Sequence, residues 1–440
     1  MEESLIHFIG ELTLMLGLIL IVAKLAGEIG LRVFGVPPVL GELLAGVIIS
    51  PYALGGINWF GVGALFELPH GRAEEFMLPL EEPLFFVAQI GAVILLFEAG
   101  LETNRKQFVK NFLPATAVGL GGVILPFLLG AGVTLLFGFA SFATVDDLLP
   151  ALFVGVALTA TSIGITARVL SDIGHLGSRE GLTVLGAAVI DDVLGIVLLS
   201  IVIGLKVSGS VSFADVGLIL LRAFGFLFVV TVLGSLASKY ISNAILGLRS
   251  AGMAVGVSIA LALLTSAIAE LAFGLAMIIG AYAIGLALSE TELRRKIENP
   301  MRQVSAFVSP IFFAVIGMQV NLLAFGESDA GVWVIIGFIA VLSLAAVFSK
   351  VFGSGLPALA FKFNRLGAAR IGVGMTPRGE VALIVAGIGI SGAVIDQTIF
   401  GVVVVMTIVT TVIAPILLQR LFKNNQSGST VAPPNAKQSA

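Results

Sequence analysis

The chain has 440 residues, 58% of them hydrophobic and 12% charged, with a mean hydropathy of +1.10. Those values exclude a soluble globule and predict a polytopic membrane protein, an all-α bundle of spanning helices embedded in a lipid bilayer. A net charge of −3 gives no basis for a nucleic-acid partner, and the absence of cysteine excludes disulfides and thiolate metal sites.

Thirteen apolar runs are predicted to cross the membrane, at about 5–25, 36–56, 84–102, 111–138, 149–170, 182–205, 212–236, 251–271, 274–290, 304–323, 331–361, 370–391 and 398–420. The first follows Glu2, Glu3 and Ser4 with no basic start or cleavage motif, so it reads as a membrane helix rather than a removed signal. The run at 331–361 exceeds the roughly 20 residues needed to span, which predicts tilt, a kink or an extension into the cytoplasm. Residues 57–83 read as a segment along the membrane surface. The tail 423–440, rich in Asn, Ser, Pro and Gln, reads as a disordered cytoplasmic end too short for a nucleotide-binding domain.

Basic residues test this division. Nineteen of the 24 Lys and Arg residues fall in alternate connections, such as Arg105, Lys106 and Lys110; Arg168 and Arg179; Arg294, Arg295, Lys296 and Arg302; or Lys362, Arg365 and Arg370. The intervening connections hold only Arg72 and Lys206 and are acidic, with Glu74, Glu75, Asp146, Asp147 and Asp329. The positive-inside rule then puts the N-terminus outside and the C-terminus in the cytoplasm.

Thirteen divides as six, one and six, so the runs on either side of the seventh enter from opposite faces and are predicted to form an inverted repeat. The fifth run holds Thr159-Ala160-Thr161-Ser162-Ile163-Gly164, and the twelfth holds Gly372-Val373-Gly374-Met375-Thr376-Pro377-Arg378-Gly379-Glu380. Both place hydroxyls and glycine near mid-span, and both are fifth in their half. Paired interrupted helices at corresponding positions point to a transporter site.

Five ionisable residues lie deep in these runs: Asp191 and Asp192, adjacent on the sixth; Lys350 on the eleventh; Arg378 and Glu380 on the twelfth. For the Asp, Lys and Arg members, about 2.5–3.5 kcal/mol each amounts to roughly 10–14 kcal/mol if none is paired. That rivals the whole net stability of a typical domain, about 5–15 kcal/mol. They are therefore predicted to pair with one another or to line a wet cavity. With all five ionised the set sums to −1, so one bound cation or one proton makes it neutral. A carboxylate that accepts either, but not both, is the simplest physical basis for coupled exchange. The hydroxyls of Thr161 and Ser162, with free carbonyls at a helix break, can supply further oxygen ligands for a small hard cation in transit. Pairing of Lys350 with Asp191 would leave Asp192 as the main cation ligand, although the residues alone do not assign the two roles, and Arg378 with Glu380 reads either as a pair that holds the broken helix or as part of the transport path. Glu42, Glu98 and Glu270 read first as interfacial or interhelical charges. His7, His70 and His175 lack metal-ligand spacing.

Gly41–Pro51, Leu95–Glu102, Thr159–Ser162, Asp191-Asp192, Lys350 and Pro377-Arg378-Gly379-Glu380, in this order and spacing, resemble the monovalent cation:proton antiporter-2 family, and within it the bacterial NapA-type sodium/proton antiporters. The resemblance covers about residues 5–422 and implies the NhaA/NapA-like fold with two crossed broken helices. It further implies a homodimer in which a core domain (about 105–206 and 331–422) moves in an elevator-like cycle against a dimer domain (about 1–104 and 249–325), with a linker helix at about 212–236. Asp192 then matches the family's carrier of cation and proton, Asp191 and Lys350 its coupled pair, and Thr161, Ser162 and Glu380 its site-lining positions. Members with Asp-Asp and this lysine tend to be electrogenic. No cofactor is implied; the cargo is Na⁺ (Li⁺ as a second cargo) and H⁺, and the setting is a bacterial inner membrane. The chain departs from Kef-type members, which carry Gln-Asp at the pair and a long nucleotide-binding domain.

A potassium/proton exchanger of the same fold is the rival within transporters. An intramembrane aspartyl protease also needs two membrane aspartates, but on separate helices so that they share one water. A channel is expected to line its pore with rings of carbonyls or charges in a symmetric oligomer. The countercharge at Lys350 favours alternating access, so the chain is read as a transporter and not an enzyme.

Overall fold

The computed structural model describes residues 2–58, 64–66, 82–208, 213–247, 250, 252–319, 331–392, 394–423 and 426–430. Helices carry the fold; two isolated bridges, Asn58 with Ala64 and Phe363 with Ser429, are the extended pairings among the described residues. In chain order the helices are α1 (Glu2–Ile29), α2 (Pro38–Ile49), α3 (Glu82–Glu102), α4 (Arg105–Lys110), α5 (Phe112–Leu136), α6 (Val145–Thr159), α7 (Ile163–Asp172) and α8 (Arg179–Ser208). They continue as α9 (Phe213–Leu246), α10 (Met253–Phe273), α11 (Met277–Leu288), α12 (Glu292–Met318), α13 (Val332–Leu359), α14 (Arg365–Gly374), α15 (Glu380–Ser391) and α16 (Gln397–Phe422).

The described residues of the thirteen apolar runs fall largely on helix, and eleven segments among them are long and apolar enough to cross a membrane by themselves. The shortfall is at 274–290 and 370–391. The first forms the 12-residue α11, which at 1.5 Å per residue reaches about 18 Å, short of the roughly 30 Å hydrocarbon core. The second is divided into α14 and α15 by Thr376–Gly379. Proline there has no N–H to give and disfavours helix in the residue before it.

Packing sorts the helices into two groups. Helices α1, α2, α3, α10, α11 and α12 pack on one another, as do α5, α6, α8, α13, α14, α15 and α16; the long α9 lies mainly against α10 and α11 and also touches α8. Contact between the groups runs chiefly through α7 against α2 and α3. Large apolar side chains such as Leu14 and Ile21 on α1, Leu221 and Phe228 on α9, Ile268 and Leu271 on α10, and Leu344 and Phe348 on α13 are exposed. Apolar surface on this scale is disfavoured in water and belongs against lipid tails.

At the α2–α12 crossing, backbones touch. A Cβ on Gly46 would run into the Ala314 carbonyl, and one on Gly317 into that of Leu43. Close backbone approach through small residues is how helices gain packing energy where lipid removes the hydrophobic drive. Gly46→Ala is expected to lower stability by about 1–3 kcal/mol, the range for overpacking. A thermal midpoint in detergent equal to that of the parent protein would refute the crossing.

The connections that carry most of the basic residues meet at one end of the bundle. Lys24 donates to the Ala306 carbonyl at 2.6 Å, Arg105 to Glu290 at 2.9 Å and Arg302 to Glu102 at 2.9 Å. Arg179 reaches the Phe361 carbonyl at 2.8 Å. Residues 426–430, expected within a disordered tail, are instead hydrogen-bonded at this same end.

Candidate cation site

The sequence of α6 and α7 is continuous in hydropathy, yet the helix opens at Ala160 and Ser162, both of which take extended backbone angles. Opening strands backbone donors and acceptors in a region without bulk water, so each needs a partner. The second break supplies them. Ser162 N–H donates to the Pro377 carbonyl at 2.8 Å. Thr166, in the first turn of α7, donates to the Gly374 carbonyl at the end of α14 at 2.7 Å. Thr161 donates to the Met375 carbonyl at 3.3 Å. The positive N-terminal end of α7 thereby meets the negative C-terminal end of α14, and each offsets the other's dipole. The two interruptions read from the sequence thus cross each other.

Asp191 and Asp192 sit on α8 beside this crossing. Lys350 on α13 bonds both oxygens of Asp191 at 2.9 Å, and both side chains are 0% exposed. Asp191 also lies within hydrogen-bond reach of the Thr161 hydroxyl, whose one proton it shares with the Met375 carbonyl. Asp192 is 5% exposed. The pairing of Lys350 with Asp191 is therefore as the sequence suggests, and it commits the ammonium to the first of the two carboxylates.

Arg378 is fully buried and serves carbonyls: Nη1 donates to Thr376 at 2.7 Å and Met375 at 3.3 Å, and Nη2 to Ala346 on α13 at 3.3 Å. The Arg378 carbonyl in turn accepts from Thr411 on α16. A guanidinium is suited to this because it presents five donors in one plane. Glu380 opens α15, but its side chain lies outside the described residues, so the sequence's pairing of Arg378 with Glu380 does too. Without it, the described charges at the crossing are two of each sign and sum to zero; the surplus of −1 in the sequence count rests on Glu380.

The hydroxyl of Ser162, 1% exposed, has no hydrogen-bond partner among the described residues. A buried unsatisfied hydroxyl costs about 1–3 kcal/mol. A small hard cation held by carboxylate, hydroxyl and carbonyl oxygens would satisfy it, and these are the donors assembled here.

Of the other acidic residues, Glu42 is buried on α2, Glu98 on α3 lies 3.9 Å from Arg302, and Glu270 is exposed on α10. Two inward-facing arginines were not anticipated, Arg168 partly buried and Arg370 buried. Arg168 on α7 bonds Asp172 and, at 2.7 Å, Ser309 of α12, which bridges the two helix groups. Arg370 on α14 bonds Glu180 on α8 at 2.9 Å. Both arginines were read as loop charges that set the topology. The signal for the first was its four-residue spacing to Asp172 on one helix face.

Two crossed, interrupted helices with buried carboxylates at the crossing define a broken-helix membrane transporter. Residues 17–424 match the family described as "Sodium/hydrogen exchanger, transmembrane", and the chain belongs to that family. It is 35% identical over 416 residues to the high-affinity Na⁺/H⁺ antiporter NhaS3 of Synechocystis sp., covering 91% of this chain and 87% of that one. It is 33% identical over 413 residues to the Na⁺/H⁺-K⁺ antiporter GerN of Bacillus cereus, covering 94% and 96%. The fold matches that of the sodium proton antiporter MjNhaP1 of Methanocaldococcus jannaschii with a TM-score of 0.62 at 18% identity, over 92% of this chain and 96% of that one. The chain is an integral, multi-pass membrane protein of a transporter family, which removes the aspartyl protease reading: it is not an enzyme.

Proposed function

We propose that the protein exchanges Na⁺, with Li⁺ as a second cargo, for H⁺ across the membrane. The observation that carries this reading is the commitment of Lys350 to both oxygens of Asp191, at the crossing of the two breaks and next to Asp192. Asp192, beside that pair on α8 and at the position of the family's carrier by resemblance, is the carboxylate that a cation or a proton neutralises in turn. Na⁺ would be held by Asp192 and Asp191 with Thr161, Ser162 and carbonyls of the breaks, and the family resemblance adds Glu380 to that set. Neither species can occupy the carboxylate while the other does, and that competition couples their movements. No resident cofactor takes part.

Alternating access follows from the packing if α5–α8 and α13–α16 move as a core against α1–α3 and α10–α12, with α9 as the linker. The second group is the dimerisation surface in the homodimer that the family resemblance implies. The alternation of basic residues supports an outside N-terminus and a cytoplasmic C-terminus, in a bacterial inner membrane.

The test is dissipation of an imposed inside-acid pH gradient in proteoliposomes on addition of Na⁺, Li⁺ or K⁺. Na⁺ and Li⁺ are expected to collapse the gradient. Silence toward all three between pH 6 and 9 sinks the antiport reading. A response to K⁺ that equals or exceeds that to Na⁺ moves the assignment to a potassium/proton exchanger, the second reading, which the name of GerN favours.

A further inference from the structure

Beyond α16 the backbone returns to the bundle. Asn364 N–H donates to the Gly428 carbonyl at 3.0 Å and its Nδ2 to Ser427 at 2.8 Å. Thr430 N–H donates to the Lys362 carbonyl at 3.0 Å, and Arg179 reaches the Ser429 hydroxyl at 2.7 Å. At the centre is Arg370, only 3% exposed. Its Nη1 bonds both Glu180 of α8 and the Gln426 carbonyl, at 2.9 and 2.8 Å, while Nε and Nη2 share the Leu421 carbonyl at the end of α16.

The fit is close. A Cβ on Gly367 would run into the Gly428 carbonyl, and one on Gly428 into the Glu180 carboxylate. A segment that merely trailed from the last helix would not need two glycines in backbone contact, nor a buried arginine to receive it.

The two helices joined here are those that build the cation site. Glu180 precedes Asp191 by eleven residues on α8, about 16 Å. Arg370 lies one turn before Gly374, whose carbonyl with that of Met375 receives Thr166 and Thr161. Any slide or rotation of α14 on α8 changes where those carbonyls stand relative to the carboxylates.

We infer that residues 426–430 are a positioning element for the cation site, a clasp that acts through Arg370 and Glu180 to fix α14 against α8. The inference deepens the antiport reading and rests on it. It assigns the chain's last described segment a part in cation affinity, and it gives any event that releases the segment a route to the site.

The test is Gly367→Ala in the full-length protein. Alanine favours helix, so α14 itself is kept while the added methyl displaces the clasp. Half-saturating Na⁺ in proteoliposomes is expected to rise by about tenfold, the low end for loss of groups that orient ion ligands, with the maximal rate per folded molecule retained. Amide hydrogen exchange at 371–376 is expected to quicken. A role confined to stability would lower the yield of folded protein and leave half-saturation and exchange at 371–376 unchanged; that result overturns the proposal. Gly428→Ala wedges the same contact from the other side and carries the test should the first variant fail to insert. If the parent protein gives no cation response, antiport fails, and the hydrogen-exchange arm alone decides whether the clasp positions α14.

Discussion

Asp192→Asn is expected to reduce cation-driven dissipation of a pH gradient to the level of empty liposomes. Asparagine fills the same volume and keeps a carbonyl oxygen, so the packing of α8 beside the crossing is preserved. What it loses is charge and proton affinity. A neutral amide can neither release a proton nor balance a monovalent cation, and the competition that couples the two ions has no seat. The fold is expected to survive, because replacing an aspartate near mid-membrane removes a desolvation cost of about 2.5–3.5 kcal/mol rather than adding one. Size-exclusion behaviour and thermal midpoint in detergent should therefore match the parent protein. Near-normal exchange by this variant would show that the carrier is another group, with Asp191 the first to examine.

The crossing was legible in the sequence because its parts violate the rules of an ordinary membrane helix. Pro377 in the middle of an apolar run, hydroxyls at Thr161 and Ser162, and two adjacent aspartates each carry a penalty that only a partner can offset. Penalties of that kind are local, so they can be read without coordinates. The pairing of Lys350 with Asp191 was also legible, since a lone ammonium in the eleventh run needed a carboxylate and few were available. The roles of Arg168 and Arg370 were not. Each lies near the end of an apolar run, where a basic residue fits the positive-inside pattern whether it faces water or protein. Only the tertiary arrangement turns them inward. The seating of residues 426–430 was hidden for a related reason: a polar stretch of Gln, Ser, Gly and Thr has little apolar surface to bury. Its attachment uses backbone carbonyls and glycine contact, which leave no mark in composition.

The count of crossings shows the opposite limit. Hydropathy marked the run at 274–290 as a span; its helical part, α11, is too short to cross alone, and from Ile278 to Leu288 it is buried between α3, α9 and α10. Its apolarity reflects burial in protein. A helix in that position is apolar all round for the same reason as one in lipid, and the sequence cannot distinguish the two solvents.

Lys350→Met is expected to have the second large effect, on stability and on charge movement together. The substitution leaves Asp191 fully buried without its ammonium. Breaking a buried pair from one side costs about 3–5 kcal/mol, because the remaining charge is uncompensated. The double variant Lys350→Met with Asp191→Asn removes both charges and is expected to recover most of that loss, a coupling that a double-mutant cycle of thermal midpoints would measure. A double-variant loss equal to the sum of the losses in Lys350→Met and Asp191→Asn would mean that the pair contributes nothing beyond its separate side chains. The same residues bear on current. If Lys350 kept its proton throughout, exchange of one Na⁺ for one H⁺ at Asp192 would move no net charge. Net charge moves only if Na⁺ binding also drives the proton from Lys350, so that two protons return for each Na⁺ expelled. An inside-negative potential clamped across the liposome membrane is then expected to speed inward proton flow in the parent protein and to leave any residual exchange by the double variant unaffected. A parent protein whose rate ignores the clamp would assign Lys350 to holding Asp191 in place and remove it from the proton path.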